Sequence, residues 1–291
     1  MEGIVYLNGT LVPAQEAKLS PLDRGFLYGY GLFETMRSYN GRIFRLDRHL
    51  ARLRRSAAML ALASELEAYD LEQAIYDTLE ANRLKDARVR LTVSAGLGER
   101  GLAPPSSGVI TVFVSAEKLV PPSPQVYRRG IRAAIVSTRR NSLSPLSQLK
   151  ATAYLDSFVA LSQAAALGAE EAILLNERGF IAECSTSNIF LVAGGLLLTP
   201  SQESGILPGI TREAVLELAQ ALGIEAVEGE IPAERLLQAE EAFLTTSVRE
   251  IVPITSVDGK PIGSGRPGAV TKRLMAAYKE LVERTLGLSL T

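Results

Sequence analysis

Glu117-Lys118-Leu119-Val120-Pro121-Pro122-Ser123-Pro124 places three prolines within four residues. Proline fixes φ and removes a backbone donor, so such a run forms neither a helix interior nor a central strand. The stretch reads as a linker over residues 116–128. It divides the chain into an N-terminal α/β domain, residues 1–115, and a C-terminal domain, residues 129–291.

Before the linker, Ile4-Val5-Tyr6-Leu7 and Thr10-Leu11-Val12 flank Asn8-Gly9, the strongest short hairpin signal. Apolar residues at Leu46, Leu50, Leu53, Ala57 and Leu60 step by 4, 3, 4, 3 and predict a helix from Arg48 to about Leu62, with Asp47 as its cap. A second helix is expected over Leu71–Asn82, then strands at Val89–Val93 and Val109–Val114. After the linker, strands are expected near Arg132–Val136, Ala172–Leu175, Asn188–Val192 and Ala242–Leu244. Helices fall near Thr152–Leu167, Arg212–Leu222 and Ala269–Leu286, with Gly223 as a C-terminal stop for the middle one. This order predicts an α/β (mixed α+β) protein of two lobes with mixed sheets, not one doubly wound sheet.

Composition narrows the function classes. The 291 residues are 47% hydrophobic, enough for a large core, and 31 Lys+Arg against 32 Asp+Glu leave a net charge of −1. That balance favours neither nucleic acid nor an anionic membrane as a partner. The Arg-rich Arg45–Arg55 stretch is interleaved with apolar residues at helical spacing and reads as a helix with a basic face. No apolar run reaches the roughly 20 residues that span a bilayer. Met1-Glu2-Gly3-Ile4 lacks the basic and apolar regions of a secretory signal, so a cytoplasmic protein is expected. One cysteine, Cys184, excludes an internal disulfide, and one histidine, His49, leaves no His-cluster metal site.

Several groups can carry chemistry. Lys150 ends the turn-rich Asn141–Lys150 stretch and precedes a long apolar pattern, Ala151–Leu167. At the mouth of a largely buried helix its ammonium is disfavoured, so it is either neutralised by pairing or held as an imine with a carbonyl cofactor. Gly205-Ile206-Leu207-Pro208-Gly209-Ile210-Thr211-Arg212 is a glycine-bearing turn opening a helix, whose free N–H groups either bind an anion or are simply capped by Thr211. Thr245-Thr246-Ser247 follows an apolar strand and offers hydroxyls either to a phosphate or to its own turn. Arg52, at the edge of the apolar stripe, either reaches inward to grip a phosphate bidentately or lies along the surface. Glu183, just before a strand, either holds a proton on a ligand nitrogen or caps a turn. Gly25–Thr35 sets aromatics among glycines without the third glycine of a dinucleotide loop, which suits close packing beside a bound ring.

Together these segments resemble the class IV (fold type IV) pyridoxal-phosphate enzymes. That family includes branched-chain aminotransferases, D-amino-acid aminotransferases, (R)-amine transaminases and aminodeoxychorismate lyases. The resemblance runs from Asn8-Gly9 to about Gly263. Its pieces, in family order, are Asp23-Arg24-Gly25-Phe26, Gly29-x-Gly31-x-Phe33-Glu34, His49-x-x-Arg52-Leu53, Lys150, Glu183-x-Ser185-x-Ser187-Asn188-Ile189-Phe190, Leu207-Pro208-Gly209-Ile210-Thr211-Arg212 and Phe243-Leu244-Thr245-Thr246-Ser247-x-x-Glu250-Ile251-x-Pro253. The resemblance implies a small N-terminal α/β domain, a larger C-terminal domain with a β-barrel-like sheet, a homodimer, and pyridoxal 5'-phosphate as cofactor. By position, Lys150 resembles the Schiff-base lysine that also carries the proton between C4′ and Cα. Glu183 resembles the partner of the pyridine nitrogen, which keeps the ring an electron sink. Arg52, Ile210 with Thr211, and Thr246 with Ser247 resemble three walls of a phosphate cup. Leu207 resembles the residue packed on one ring face, and Tyr154 stands one turn past Lys150 to meet O3′. The implied reaction is a ping-pong transfer of an amino group from a donor to a 2-oxo acid.

The substrate side follows the family less closely. Tyr28 and Phe33 match the branched-chain pattern, but Phe33-Glu34-Thr35 departs from its Phe-Glu-Gly. Tyr30 stands where D-amino-acid enzymes and lyases carry Asp, and Thr35 matches a threonine that assists proton transfer in the lyases. Arg100 aligns with a carboxylate-binding arginine of the D-amino-acid enzymes, yet the histidine expected two residues later is Leu102. Val248, beside Ser247, joins this set. An apolar donor pocket is expected, with aminodeoxychorismate lyase as the alternative activity.

Overall fold

The structure is a computed structural model and describes residues 3–98, 101–102 and 109–289. Its contacts define two compact units. One runs to Val120 and also takes Leu149–Ala153; the other takes Pro121–Gln148 and the chain from Tyr154.

The first unit holds β1 (Ile4–Leu7), β2 (Thr10–Pro13), α1 (Arg24–Tyr28), β3 (Gly31–Tyr39), β4 (Arg42–Ile43), α2 (Leu46–Met59), α3 (Ala63–Leu66), α4 (Leu71–Ala81), β5 (Ala87–Leu97) and β6 (Val109–Lys118). Among the described residues its sheet has six strands in the order β2-β1-β6-β5-β3-β4, every pairing antiparallel. The expected hairpin is present: Asn8 and Gly9 both take positive φ, 48° and 96°, and set Leu7 opposite Thr10. Alternation along β5 buries Val89, Leu91 and Val93, which pack with Leu50 and Leu53 of α2 and Leu71, Ile75 and Leu79 of α4. Full burial of a leucine such as Leu53 contributes about 2 kcal/mol.

Two expectations for α2 need correction. Asp47 does not cap it; the helix starts at Leu46 behind Arg45, which is left-handed at φ 54° and makes no side-chain cap. Asp47 sits instead in the first turn, where its charge still complements the helix dipole. The helix stops at Met59 rather than Leu62, because Ala61 turns left-handed at φ 52°. By contrast α4 is capped by Asp70, which accepts from the Gln73 N–H.

The second unit holds α5 (Pro124–Arg129), β7 (Ile131–Arg140), α6 (Leu155–Ala166), β8 (Glu171–Asn176), β9 (Ile181–Cys184), β10 (Asn188–Ala193), β11 (Leu196–Pro200), α7 (Ile210–Ala221), β12 (Ala226–Gly229), α8 (Glu234–Gln238), β13 (Glu241–Thr246), β14 (Glu250–Val257), β15 (Lys260–Pro261) and α9 (Ala269–Leu286). The nine strands seen among the described residues run β12-β11-β10-β13-β14-β7-β8-β9, with β15 on β14. The sheet is mixed: β11/β12, β14/β7 and β7/β8 are parallel and the other pairs antiparallel. Terminal strand β9 packs back on β10 and β11, so the sheet curls into a half-barrel. Pro124 proves to be the first residue of α5, capped by Ser123, a place where its missing N–H costs nothing.

The apolar pattern after Lys150 is the main correction. It was expected to be a largely buried helix from Thr152. Instead Ala151 bridges to Leu32 and α6 begins only at Leu155. Ala160 and Ala164 pack it on Ala134, Val136, Ala172 and Leu174, while Leu155, Phe158, Val159 and Leu161 remain exposed. No helix among the described residues is long and apolar enough to cross a membrane.

Candidate active site

In the first unit Lys150 hangs on the end of β3. The Phe33 N–H donates to the Lys150 carbonyl at 2.8 Å, and the Thr152 N–H donates to Gly31 at 2.9 Å. Lys150 is therefore strand-paired, and Tyr154 is not one helical turn beyond it but the residue preceding α6. Lys150 Nζ lies 4.5 Å from the centroid of the Phe33 ring, and Arg90 Cζ lies 3.7 Å from the same centroid. A cation over an aromatic face is stabilised by the ring quadrupole.

Next to Phe33 on β3, Glu34 is buried and forms a charged cluster that the sequence reading did not single out. Arg52 donates from Nε to Oε1 at 2.8 Å and from Nη2 to Oε2 at 2.7 Å. His49 Nδ1 lies 2.7 Å from Oε2. Burial pushes the Glu34 carboxyl up, but the Arg52 guanidinium and the His49 hydrogen bond outweigh it and hold Glu34 at about 2. Burial pushes His49 down, against the pull of Glu34, and the charges of Arg52 and Lys150 add to the fall. A carboxylate only accepts, so neutral His49 carries its proton on Nδ1. Arg52 was expected to offer its fork to a phosphate; its Nε and Nη2 instead hold Glu34. His49 and Arg52, three apart on the face that carries Leu46, Leu50 and Leu53, were the signal in the sequence.

Of the expected substrate residues, Phe33 is buried in β3. Tyr30 donates its hydroxyl to the Leu60 carbonyl at 2.5 Å and stacks under Arg24. Tyr28 ends α1 and is exposed. Arg100 lies outside the described residues.

In the second unit Glu183 lies within β9, not before a strand as expected, and is buried. Arg140 Nη2 lies 3.1 Å from its Oε1. Its Oε2 accepts from the Leu207 N–H at 3.0 Å and from Asn188 Nδ2 at 3.4 Å. Arg140, at the end of β7, also donates to the carbonyls of Ser147 and Gly205, at 2.6 Å and 3.2 Å. One arginine thus ties the acid to the stretch leading toward Lys150 and to the turn leading to Leu207. The sequence held no local signal for this, because 43 residues separate Arg140 from Glu183.

The Leu207–Thr211 turn opens α7, whose first residues are Ile210 and Thr211. Gly209 precedes it, and no side chain caps the helix. A Cβ on Gly209 would come within 1.9 Å of Asn188 Oδ1, so a larger residue here would have to displace the Asn188 amide. Thr246 ends β13 and accepts from the Arg249 N–H at 2.8 Å, which folds Ser247 and Val248 into a tight turn. Arg249 in turn pairs with buried Glu171 at 2.9 Å. The second unit therefore joins Glu183 to Leu207 directly, and the first unit joins Lys150, Phe33 and, through Glu34 and His49, Arg52.

Comparison with known proteins identifies the family. The sequence profile described as amino-transferase class IV matches residues 31–257, more than half of the chain. The chain belongs to the class IV aminotransferases. A provisionally named branched-chain-amino-acid aminotransferase of Methanocaldococcus jannaschii is 40% identical over 278 residues, 95% of this chain and 96% of its own. The aminodeoxychorismate lyase of Bacillus subtilis is 35% identical over 285 residues, 97% and 96% of the two chains. A solved structure of the T.th. branched-chain amino acid aminotransferase with pyridoxamine 5'-phosphate superposes with a TM-score of 0.89 at 33% identity, covering 97% of this chain and 94% of that one. The expected family, mixed α/β fold and enzyme class are thus borne out, and so is the cofactor class: a close structural neighbour holds the amine form of pyridoxal phosphate.

Proposed function

We propose that this class IV aminotransferase uses pyridoxal 5'-phosphate to move the amino group of a branched-chain or other apolar α-amino acid to a 2-oxo acid. The observation that carries the reading is Glu183, a buried carboxylate held by Arg140, Asn188 and the Leu207 amide. The residues fit the cofactor in three further respects. The N-terminus of α7 has no side-chain cap and can meet a phosphate with its free amides. Thr246 and Ser247 bring hydroxyls at the end of β13. Thr245 Oγ1, beside Asn188 across the ladder, is buried with no hydrogen-bond partner, so a bound group can supply one.

When bound, the cofactor supplies an aldehyde that condenses with amines and a protonated ring that draws electrons from Cα. Lys150 would be the amine that holds the cofactor and the base that moves the proton at Cα. Glu183 would accept from the ring N–H and keep that nitrogen protonated. Leu207 would pack on the ring, Tyr154 would meet its hydroxyl oxygen, and Arg52, Ile210, Thr211, Thr246 and Ser247 would hold the phosphate. Phe33, Tyr28, Tyr30 and Val248 would form the substrate side. There Phe33 is apolar and the Tyr30 hydroxyl is committed to Leu60, which suits an apolar side chain better than a charged one.

A half-reaction screen over L-amino acids, D-amino acids and (R)-amines tests the substrate. Leucine, isoleucine and valine should convert the cofactor to its amine form, followed by absorbance, with stoichiometric 2-oxo acid. A second reading, the lyase, is favoured by the 35% identity to the Bacillus subtilis enzyme. Pyruvate release from aminodeoxychorismate without a 2-oxo acid, with no conversion by any amine, would establish it instead.

The working form in this proposal is a cytoplasmic homodimer. Leu155, Phe158, Val159 and Leu161 on α6, with Leu143 and Leu146 before it, leave one unit's apolar side chains in water, and a second copy can cover them. Sedimentation should give about twice the 31.3 kDa of one chain, and a monomer at micromolar concentration would refute the pairing.

A further inference from the structure

We propose that Glu34, backed by His49, is a positioning residue that fixes the guanidinium of Arg52 for contact with the cofactor phosphate. This rests on reading Arg52 as a phosphate ligand.

An arginine on a helix face has several rotamers, and one that must meet an anion gains from being held in a single plane. Glu34 does this from a rigid base. It lies on β3, paired along its length with β5, and it engages Arg52 through two parallel hydrogen bonds of 2.8 and 2.7 Å. Nε and one edge of Nη2 are thereby fixed, and the direction of the outer edge is set with them. His49, one turn earlier on α2, donates to Oε2 at 2.7 Å and fixes the carboxylate itself. Burying such a cluster is costly, and an apolar pair would pack α2 on β3 more cheaply. What the charged cluster adds is an oriented cation.

The test is a spectral titration of the full-length apoenzyme with pyridoxal phosphate and, separately, with pyridoxal, which lacks the phosphate. Glu34→Gln should weaken pyridoxal phosphate binding about tenfold, on the scale of one charge-assisted contact, and leave pyridoxal binding unchanged. Arg52→Gln should weaken it at least as much, and the double variant no more than Arg52→Gln alone. Glu34→Asp keeps the charge but withdraws the fork, and should lower the same ratio by less; it also carries the test if Glu34→Gln does not fold. If Arg52→Gln lowers the ratio while both Glu34 variants leave it unchanged, the positioning role is wrong and the Arg52 reading stands. If Arg52→Gln leaves the ratio unchanged, Arg52 is not a phosphate ligand and the inference falls with it. A merely structural Glu34 would weaken both ligands together.

Discussion

Lys150→Ala should lower amino-group transfer about ten-thousand-fold, the upper end of what a positioned proton carrier contributes. The loss has two sources. In the proposed roles, the variant loses both the side chain that would hold the cofactor and the base that would move the Cα proton. The fold should be little affected. Lys150 is half-buried, and its backbone carbonyl accepts the Phe33 N–H, a bond that alanine keeps. A change in stability of about 1 kcal/mol or less is expected, and far-UV circular dichroism with a thermal melt checks it. Single-turnover kinetics checks the chemistry. Lys150→Arg should not rescue the rate, because a guanidinium stays protonated. Activity within tenfold of the parent in Lys150→Ala would remove the lysine from the reaction.

Glu183→Gln should lower the rate about a hundred-fold, the effect of losing a charged hydrogen bond to the ring nitrogen of about 3 kcal/mol. An amide cannot keep that nitrogen protonated, so the ring draws electrons from Cα less well. Cofactor binding should weaken much less than the rate, since the α7 N-terminus and the Thr246 turn are untouched. The variant also leaves Arg140, now 3.1 Å from the carboxylate, without that charge. A stability loss of about 1–2 kcal/mol follows from that alone. Rate and stability are separable by measuring the half-reaction well below the melting transition. Glu183→Asp keeps the charge and should recover part of the rate; equal losses in Asp and Gln variants would mean that geometry, not charge, is what Glu183 supplies.

How much of this was legible in the sequence depended on whether a feature is local. α4 and α9 were, because an apolar stripe and a cap, or a stripe and a terminal glycine, are both contained in the segment. The Asn8-Gly9 hairpin was, because its turn is decided by two residues. β3 was not: Gly31–Tyr39 is buried on both faces over most of its length, so it lacks the alternation that marks a half-exposed strand. α6 misled for the opposite reason. Its leucines and phenylalanine looked like core, yet alanines make the packing face, and periodicity does not tell a core face from an exposed apolar one. Lys150, Glu183 and the α7 turn stood out as candidates within their own segments, and the resemblance to a family gave them, and Leu207, their expected roles. The groups that hold them, Glu34 with His49 for Arg52 and Arg140 for Glu183, depend on pairings between distant segments that only the folded chain shows.

The central claim is that Lys150 carries the cofactor. The most direct measurement is reduction of the holoenzyme with borohydride, which makes a lysine–cofactor link permanent, followed by digestion and peptide mass spectrometry. The account predicts a phosphopyridoxyl group on Lys150 and on no other of the chain's lysines. The same mass on another lysine, or an unmodified Lys150 in fully loaded enzyme, would contradict it.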